Sequence, residues 1–277
     1  MPVIALTQGM GSLAQDIAEQ LAQELQLSTL QHEVAERVAS KMHVSKSLIS
    51  RLRAGKAGTL ERLTADREAM AIYTAEEVLE VAAAGNVVLR GWGATALLRP
   101  VPHVPCVRIL RPFAKRVQWL MAEIDTDDIE AAQAEIKRSD EANASRMHEQ
   151  FGVDWGDPVL FDLVLNADRL SIDTCVQQIK ALLARPEFAE TEASRALLRA
   201  LALHAHVRAA MRANEGTREV NVTIEGSGDR IVLSGIVVNA AERSAAEAVA
   251  AGVAGVAEVD NQLRVMAMSR LFPSAKN

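Results

Sequence analysis

The sequence predicts two units: a doubly wound α/β domain on a parallel sheet, then a smaller α+β domain in the order αββαβ. Three observations predict this. Short apolar runs alternate with helical periodicity through about residue 185. The first run leads into a glycine-containing turn and then directly into a helix. Beyond residue 195 the pattern changes to half-buried alternation and an alanine-rich helix.

Composition sets the bounds. The 277 residues suffice for one large domain or two smaller ones. Hydrophobic residues make up 49% and aromatics only 3%, so the core must be aliphatic and alanine-rich. A net charge of −6 argues against sequence-independent nucleic-acid binding. No apolar run reaches the ~18 residues of a membrane span, and no signal peptide is evident, so a cytoplasmic location is expected. Cys106 and Cys175 have apolar neighbours and no metal-type spacing, which predicts buried free thiols. The histidines are scattered and read as ordinary surface residues. His204 and His206 are two apart on a helix, a poor metal pair.

The elements follow in order. The run from Val3 predicts a strand. Gly9-Met10-Gly11-Ser12 predicts a turn, and Leu13, Ile17, Leu21 and Leu25 predict a helix. A helix that starts after a glycine turn offers free N–H groups and partial positive charge to a phosphate. Residues 28–84 read as mostly helical, with a basic cluster at Arg51, Arg53 and Lys56 beside Gly55 and Gly58. That cluster suits a solvated helix end or a mobile segment that meets substrate phosphate. Strands are expected at Asn86–Arg90, Val104–Leu110 and Leu160–Asn166, with helices over 115–123, 127–148 and 172–183. Pro186–Ser194 is polar and acidic and reads as a linker. A helix is then expected over Leu197–Met211, followed by a hairpin turning at Gly226–Asp229, a helix from Ala240 to Val253 and a last strand at Asn261–Met266. The final eleven residues read as a tail.

The most specific stretch is Asp154-Trp155-Gly156-Asp157-Pro158, followed by Phe161-Asp162-Leu163-Val164-Leu165-Asn166. It resembles the cytidylate-kinase-like family, a branch of the P-loop nucleoside monophosphate kinases. Val107-Arg108-Ile109, Pro112-Phe113, Arg116-Val117, Arg90-Gly91 and Gly93-Ala94 are similar to family segments in the same order. The resemblance covers residues 1–185. It implies a P-loop-kinase-like sheet, with Gly9, Gly11 and Ser12 cradling phosphates. It also implies a lid site at Arg116 and Asp140, with Arg138 and Arg146 a turn or so away as substitutes for the family arginine, ATP and Mg²⁺ if the domain is active, and no protein residue set aside for a metal.

The departures fall at the loop and the lid. Relative to the family pattern, Gln8 and Gln15 replace arginines and Leu13 and Ala14 replace glycines. Asn143 stands where the family carries an arginine three residues after Asp140. Glycine permits close backbone approach to phosphate and leucine opposes it. Phosphoryl transfer depends on positioning and positive charge, and three such charges are lost.

Residues 196–267 resemble the BON domain through Val220-Asn221-Val222, Val232–Val237 and Gly255–Leu263. That resemblance implies a binding module for a lipid, small-molecule or protein ligand. The expected domains are therefore 1–185 and 196–267, with a linker at 186–195 and a tail at 268–277. The expected function is a degenerate nucleotide-binding protein that senses or scaffolds. The alternative is an active phosphotransferase from ATP to a CMP-like acceptor. No nucleic-acid partner is expected, and an oligomer is compatible with the sequence.

Overall fold

The structure, a computed structural model, describes residues 1–30 and 32–266. The expected tail lies outside the described residues. The chain divides into two compact units between Leu198 and Arg199.

The first unit is built on a five-stranded sheet in the order β2-β3-β1-β4-β5. Its strands are β1 (Val3–Gln8), β2 (Ser28–Leu30), β3 (Val87–Arg90), β4 (Cys106–Leu110) and β5 (Leu163–Asn166). All pairings are parallel, and Leu6 lies level with Arg90 on one side and Val107 on the other. The helices of this unit are α1 (Ala14–Leu25), α2 (His32–Lys41), α3 (Lys46–Arg53), α4 (Thr59–Thr64), α5 (Arg67–Ala84), α6 (Ala94–Leu98), α7 (Phe113–Glu123), α8 (Ile129–Phe151) and α9 (Ile172–Leu183).

The apolar runs form strands because both sheet faces are covered. On one face Ile4, Leu6, Val88, Val107, Ile109 and Leu165 pack against Ile17 and Leu21 of α1 and Val176 and Ile179 of α9. Helices α5 and α6 lie against β1, β3 and β4 from other positions in the chain. Side-chain caps start several helices: Ser45, Asp66, Asp128 and Ser171 each accept from the backbone N–H three residues on.

Two expectations need correction here. Residues 28–30 are a strand, not helix; Ser28-Thr29-Leu30 is short, exposed and at the sheet edge, so no apolar run announces it. Residues 192–195, expected in a linker, already belong to α10 (Glu192–Ala213). Pro186–Phe188 forms a 3₁₀ turn, and Glu190 pairs with Arg195 at 2.8 Å and with the Met1 amine. The polar residues that suggested a linker are engaged in these contacts and in the Thr191–Ser194 cap.

The second unit is a three-stranded sheet, β6 (Thr223–Ser227), β7 (Arg230–Val237) and β8 (Glu258–Val265), with α11 (Ala240–Ala251). β6 and β7 are antiparallel; β7 and β8 are parallel. Val207 and Met211 of α10 and Ala246 and Ala250 of α11 pack on Val222, Ile231, Leu233, Val237 and Leu263. The hairpin turns at Gly228-Asp229, the second half of the expected Gly226–Asp229 turn, because Gly226 and Ser227 stay in the ladder. No helix among the described residues is long and apolar enough to cross a membrane.

Candidate functional site

The carboxyl ends of β1 and β3 open on a cavity of about 270 Å³, lined by the glycine loop, Arg53, Arg90, Trp119, Ser139 and Asn143. Open parallel sheets bind ligands at such strand ends. After Gln8 the chain turns through Gly9–Leu13. Gly11 has φ +76°, and Leu13 takes the left-handed conformation at φ +63°. The loop therefore keeps a left-handed residue at Leu13, where leucine pays a steric cost of about 1–2 kcal/mol. α1 begins with no side-chain cap, so its first-turn N–H groups are left for solvent or a ligand. Two buried polar atoms of the loop region, Gln8 Oε1 and Ser12 Oγ, have no hydrogen-bond partner. Together these features make a cradle for an anionic group.

The residues expected to cradle phosphate divide in this setting. Gly9 and Gly11 face α7. A Cβ on Gly9 would come within 2.6 Å of Arg116 Nη1, and one on Gly11 within 2.9 Å of the Trp119 ring. Gly11, which also meets the Arg116 backbone at 3.1 Å, is thus required by helix packing, whereas Gly9 meets only movable side-chain ends. Ser12 is buried beside the first turn of α1.

The four expected lid residues also divide. Arg116 and Asp140 come together as a two-point ion pair, Nη1–Oδ1 2.9 Å and Nη2–Oδ2 2.5 Å, and Arg116 Nη1 also reaches the Met10 carbonyl at 3.3 Å. Arg116 is buried. Arg138 turns away to pair with Glu135. Arg146 donates to the Arg53 carbonyl at 3.0 Å and to Asn143 Oδ1. Arg138 and Arg146 line a second cavity of about 560 Å³ between α8 and the α3–α5 segment.

Two further cations complete the site. Arg90 ends β3 at the cavity and makes only long contacts, 3.5 Å, to Gln15. Arg53 ends α3 and lies over the Trp92 ring, its guanidinium carbon 3.2 Å from the centroid. Among the described residues no carboxylate forms an ion pair with Arg53, Arg90 or Arg146. Burial lowers the pKa of all three, with Arg146 adding a second push on Arg53, while Glu19 and Asp16 partly support Arg90. An incoming anion would favour the charged form of each. Arg53 belongs to the basic cluster visible in the sequence; that Arg146 reaches it across ninety-odd residues is not readable there.

Gly91, Trp92 and Gly93 all have positive φ, at +78°, +57° and +72°. For a tryptophan that is a strained backbone. Trp92 is 7% exposed, and Phe151 packs against Gly93.

The Trp-Gly-Asp-Pro stretch proves to be a brace for the sheet. Trp155 Nε1 donates to Thr7 Oγ1 at 3.2 Å, just before the loop. Arg108 donates to the Trp155 carbonyl and lies near the rings of Trp155 and Phe161. Asp162 accepts from Cys106 N at 2.7 Å, and Asp157 starts the 3₁₀ turn at 158–160. Burial raises the Cys106 thiol to about 12, and Asp162 adds to the effect; that thiol is inert. His103, expected at the surface, is 4% exposed, and burial lowers its pKa. Among the described residues no three His, Cys, Asp or Glu side chains cluster as a metal site would.

Comparison with known proteins agrees with this architecture. Residues 3–169 match the cytidylate kinase-like family, and residues 201–267 match the BON domain. The chain is 31% identical to a cytidylate kinase of Pyrobaculum islandicum and 30% to one of Pyrobaculum aerophilum. Each match runs over 99 residues, 36% of this chain, and spans about half, 53%, of the relative. An uncharacterized protein from Eubacterium ventriosum has the same fold as the first unit. Its TM-score is 0.53 at 18% identity, over 67% of this chain and all of that one. The chain belongs to the cytidylate kinase-like family and carries a BON domain after the kinase-like one.

Proposed function

We propose that the kinase-like domain binds a nucleotide through its phosphates and transfers phosphate poorly or not at all, and that the BON domain engages a further ligand or partner. The protein then reports on or scaffolds around nucleotide binding. The observation that carries this is the charge arrangement at the glycine loop. Unpaired Arg53 and Arg90 face the cavity, while the lid cation Arg116 is neutralised by Asp140. Binding needs positive charge near the phosphates. Transfer needs it placed on the moving group. Among the described residues no lysine lines the loop cavity.

The cradle suits phosphate because Ser12 Oγ and the uncapped start of α1 lie together. Mg²⁺, which binds through one or two protein oxygens plus phosphates, would find Ser12 and Asp16 there. When bound, it would offset charge on the phosphates. The chain's own residues orient the ligand: Arg53, Arg90 and the first turn of α1 all line the cavity.

A second reading, active transfer to a nucleoside monophosphate, is favoured by one observation. Arg146 approaches Arg53 from α8, close to the position where Asn143 replaces the family arginine. A calorimetric titration with ATP, CMP and related nucleotides, with and without Mg²⁺, tests the proposal. Saturable ATP binding supports it. Absence of binding by every nucleotide up to millimolar concentration rejects it.

A further inference from the structure

Arg116 is the guanidinium that rests on the glycine loop itself, and its fork is already occupied. Asp140 takes both ends at 2.9 and 2.5 Å. The Arg116 side chain is 11% exposed and that of Asp140 29%. Carboxylate and phosphate engage a guanidinium in the same two-point geometry. The pair also draws two helices onto the loop. α7 lies on Gly11, where the Arg116 backbone and the Trp119 ring leave no room for a Cβ, and the tips of Arg116 and Asp140 close over Gly9. Met10 packs with Val117 and Leu120 of α7 and Ala132 and Ile136 of α8. The closed arrangement nevertheless leaves Gln8 Oε1 and Ser12 Oγ buried without partners. Buried polar groups are almost always paired, so this state is incomplete at the loop.

We infer that Asp140 is an autoinhibitory carboxylate: it holds on Arg116 the place of a ligand phosphate and latches α7 and α8 over the glycine loop. A polyphosphate then gains Arg116 only by displacing Asp140. This rests on the phosphate-binding reading given above. The latched fraction reduces apparent affinity in proportion, since the apparent dissociation constant is the intrinsic one divided by the open fraction.

The test uses the full chain and inorganic tripolyphosphate, titrated calorimetrically, with ATP as a parallel arm. Asp140→Asn removes the competing charge at constant shape and should tighten tripolyphosphate binding about tenfold or more. Asp140→Glu keeps the charge and should bind as the wild type does. Arg116→Gln should lose the gain, alone or combined with Asp140→Asn. Hydrogen exchange across residues 113–123, without ligand, should quicken in Asp140→Asn. Unchanged or weaker tripolyphosphate binding by Asp140→Asn, or binding by neither protein, overturns the latch. If Asp140→Asn gains tripolyphosphate affinity but ATP binds neither protein up to millimolar concentration, the latch stands and the nucleotide reading falls. If ATP binds the wild type and Asp140→Asn gains nothing, the nucleotide reading stands and the latch falls.

Discussion

Arg53 lies over Trp92, its guanidinium carbon 3.2 Å from the ring centroid, at the point where β3 gives way to three residues of positive φ. The strained turn presents the ring, and the ring holds an arginine that has no carboxylate. An indole face is worth about 0.5–2 kcal/mol to a cation placed this way. Trp92→Leu keeps an apolar side chain and removes that face. Pyrophosphate binding, measured calorimetrically, should weaken about three- to tenfold. Equal affinity in the two proteins would mean that Trp92 does not position Arg53 for a ligand.

Leu13 stores strain at the loop. Leu13→Ala loses packing on the α1–α9 core and keeps the φ of +63°. Leu13→Gly loses the same packing and relieves the strain. The glycine variant should therefore be the more stable of the two by about 1 kcal/mol, as read from urea midpoints. The reverse order would show that the left-handed conformation is not retained in solution.

Much of the fold was legible in the sequence. Strands β1, β3 and β4 announce themselves because they are buried on both faces, and β5 through its apolar Leu163-Val164-Leu165 run, although Val164 is exposed at the sheet edge. Helix α9 was expected over the residues it occupies, because its apolar spacing is regular and Ser171 caps it. β2 was hidden, being three residues at an edge. The site was legible in part. The glycine loop and its substitutions are local, so sequence shows them. That Arg53 of α3 and Arg90 of β3 share the loop cavity, and that Arg146 of α8 reaches the Arg53 carbonyl, depends on tertiary packing that spacing does not show. The Trp-Gly-Asp-Pro stretch carries the family resemblance, yet its work is to brace Thr7 and Arg108, which spacing alone does not reveal.

The second unit gives a separate test. Gly226 has φ +136°, and a Cβ there would overlap the Arg230 carbonyl across the hairpin. Gly235 has φ +134°, but a Cβ would meet Val222 only at 3.6 Å. Gly235→Ala should cost about 1–3 kcal/mol through backbone strain. Gly226→Ala should cost more, because the clash is with backbone. Differential scanning calorimetry should show the C-terminal transition falling in that order, with the N-terminal transition unmoved. A common fall in both transitions would contradict independent cores.

Acid stability should depend on Glu190. The Arg195 hydrogen bond, then the N-terminal ammonium, hold its carboxyl down at about 2. A depressed carboxylate contributes stability that is present above its unfolded value, about 4.3, and is lost as pH falls towards 2. The pair is accessible enough to solvent that its worth is at most about 1 kcal/mol. Glu190→Gln should lower the melting temperature of the N-terminal unit at pH 7 and leave it unchanged near pH 2. A difference that persists at low pH would assign Glu190 a role other than ion pairing.

The central claim is that nucleotide binding survives at the loop while transfer does not. The most direct test is the steady-state rate of γ-phosphate transfer from ATP to CMP, with Mg²⁺ and both nucleotides in excess. Ordinary kinases turn over at about 1–100 s⁻¹. With its loop and lid charges replaced and Arg116 held by Asp140, this protein should fall at least about a thousandfold below that range, the scale set by loss of a positioned arginine. Turnover within the ordinary range would contradict the account and establish the chain as a working kinase.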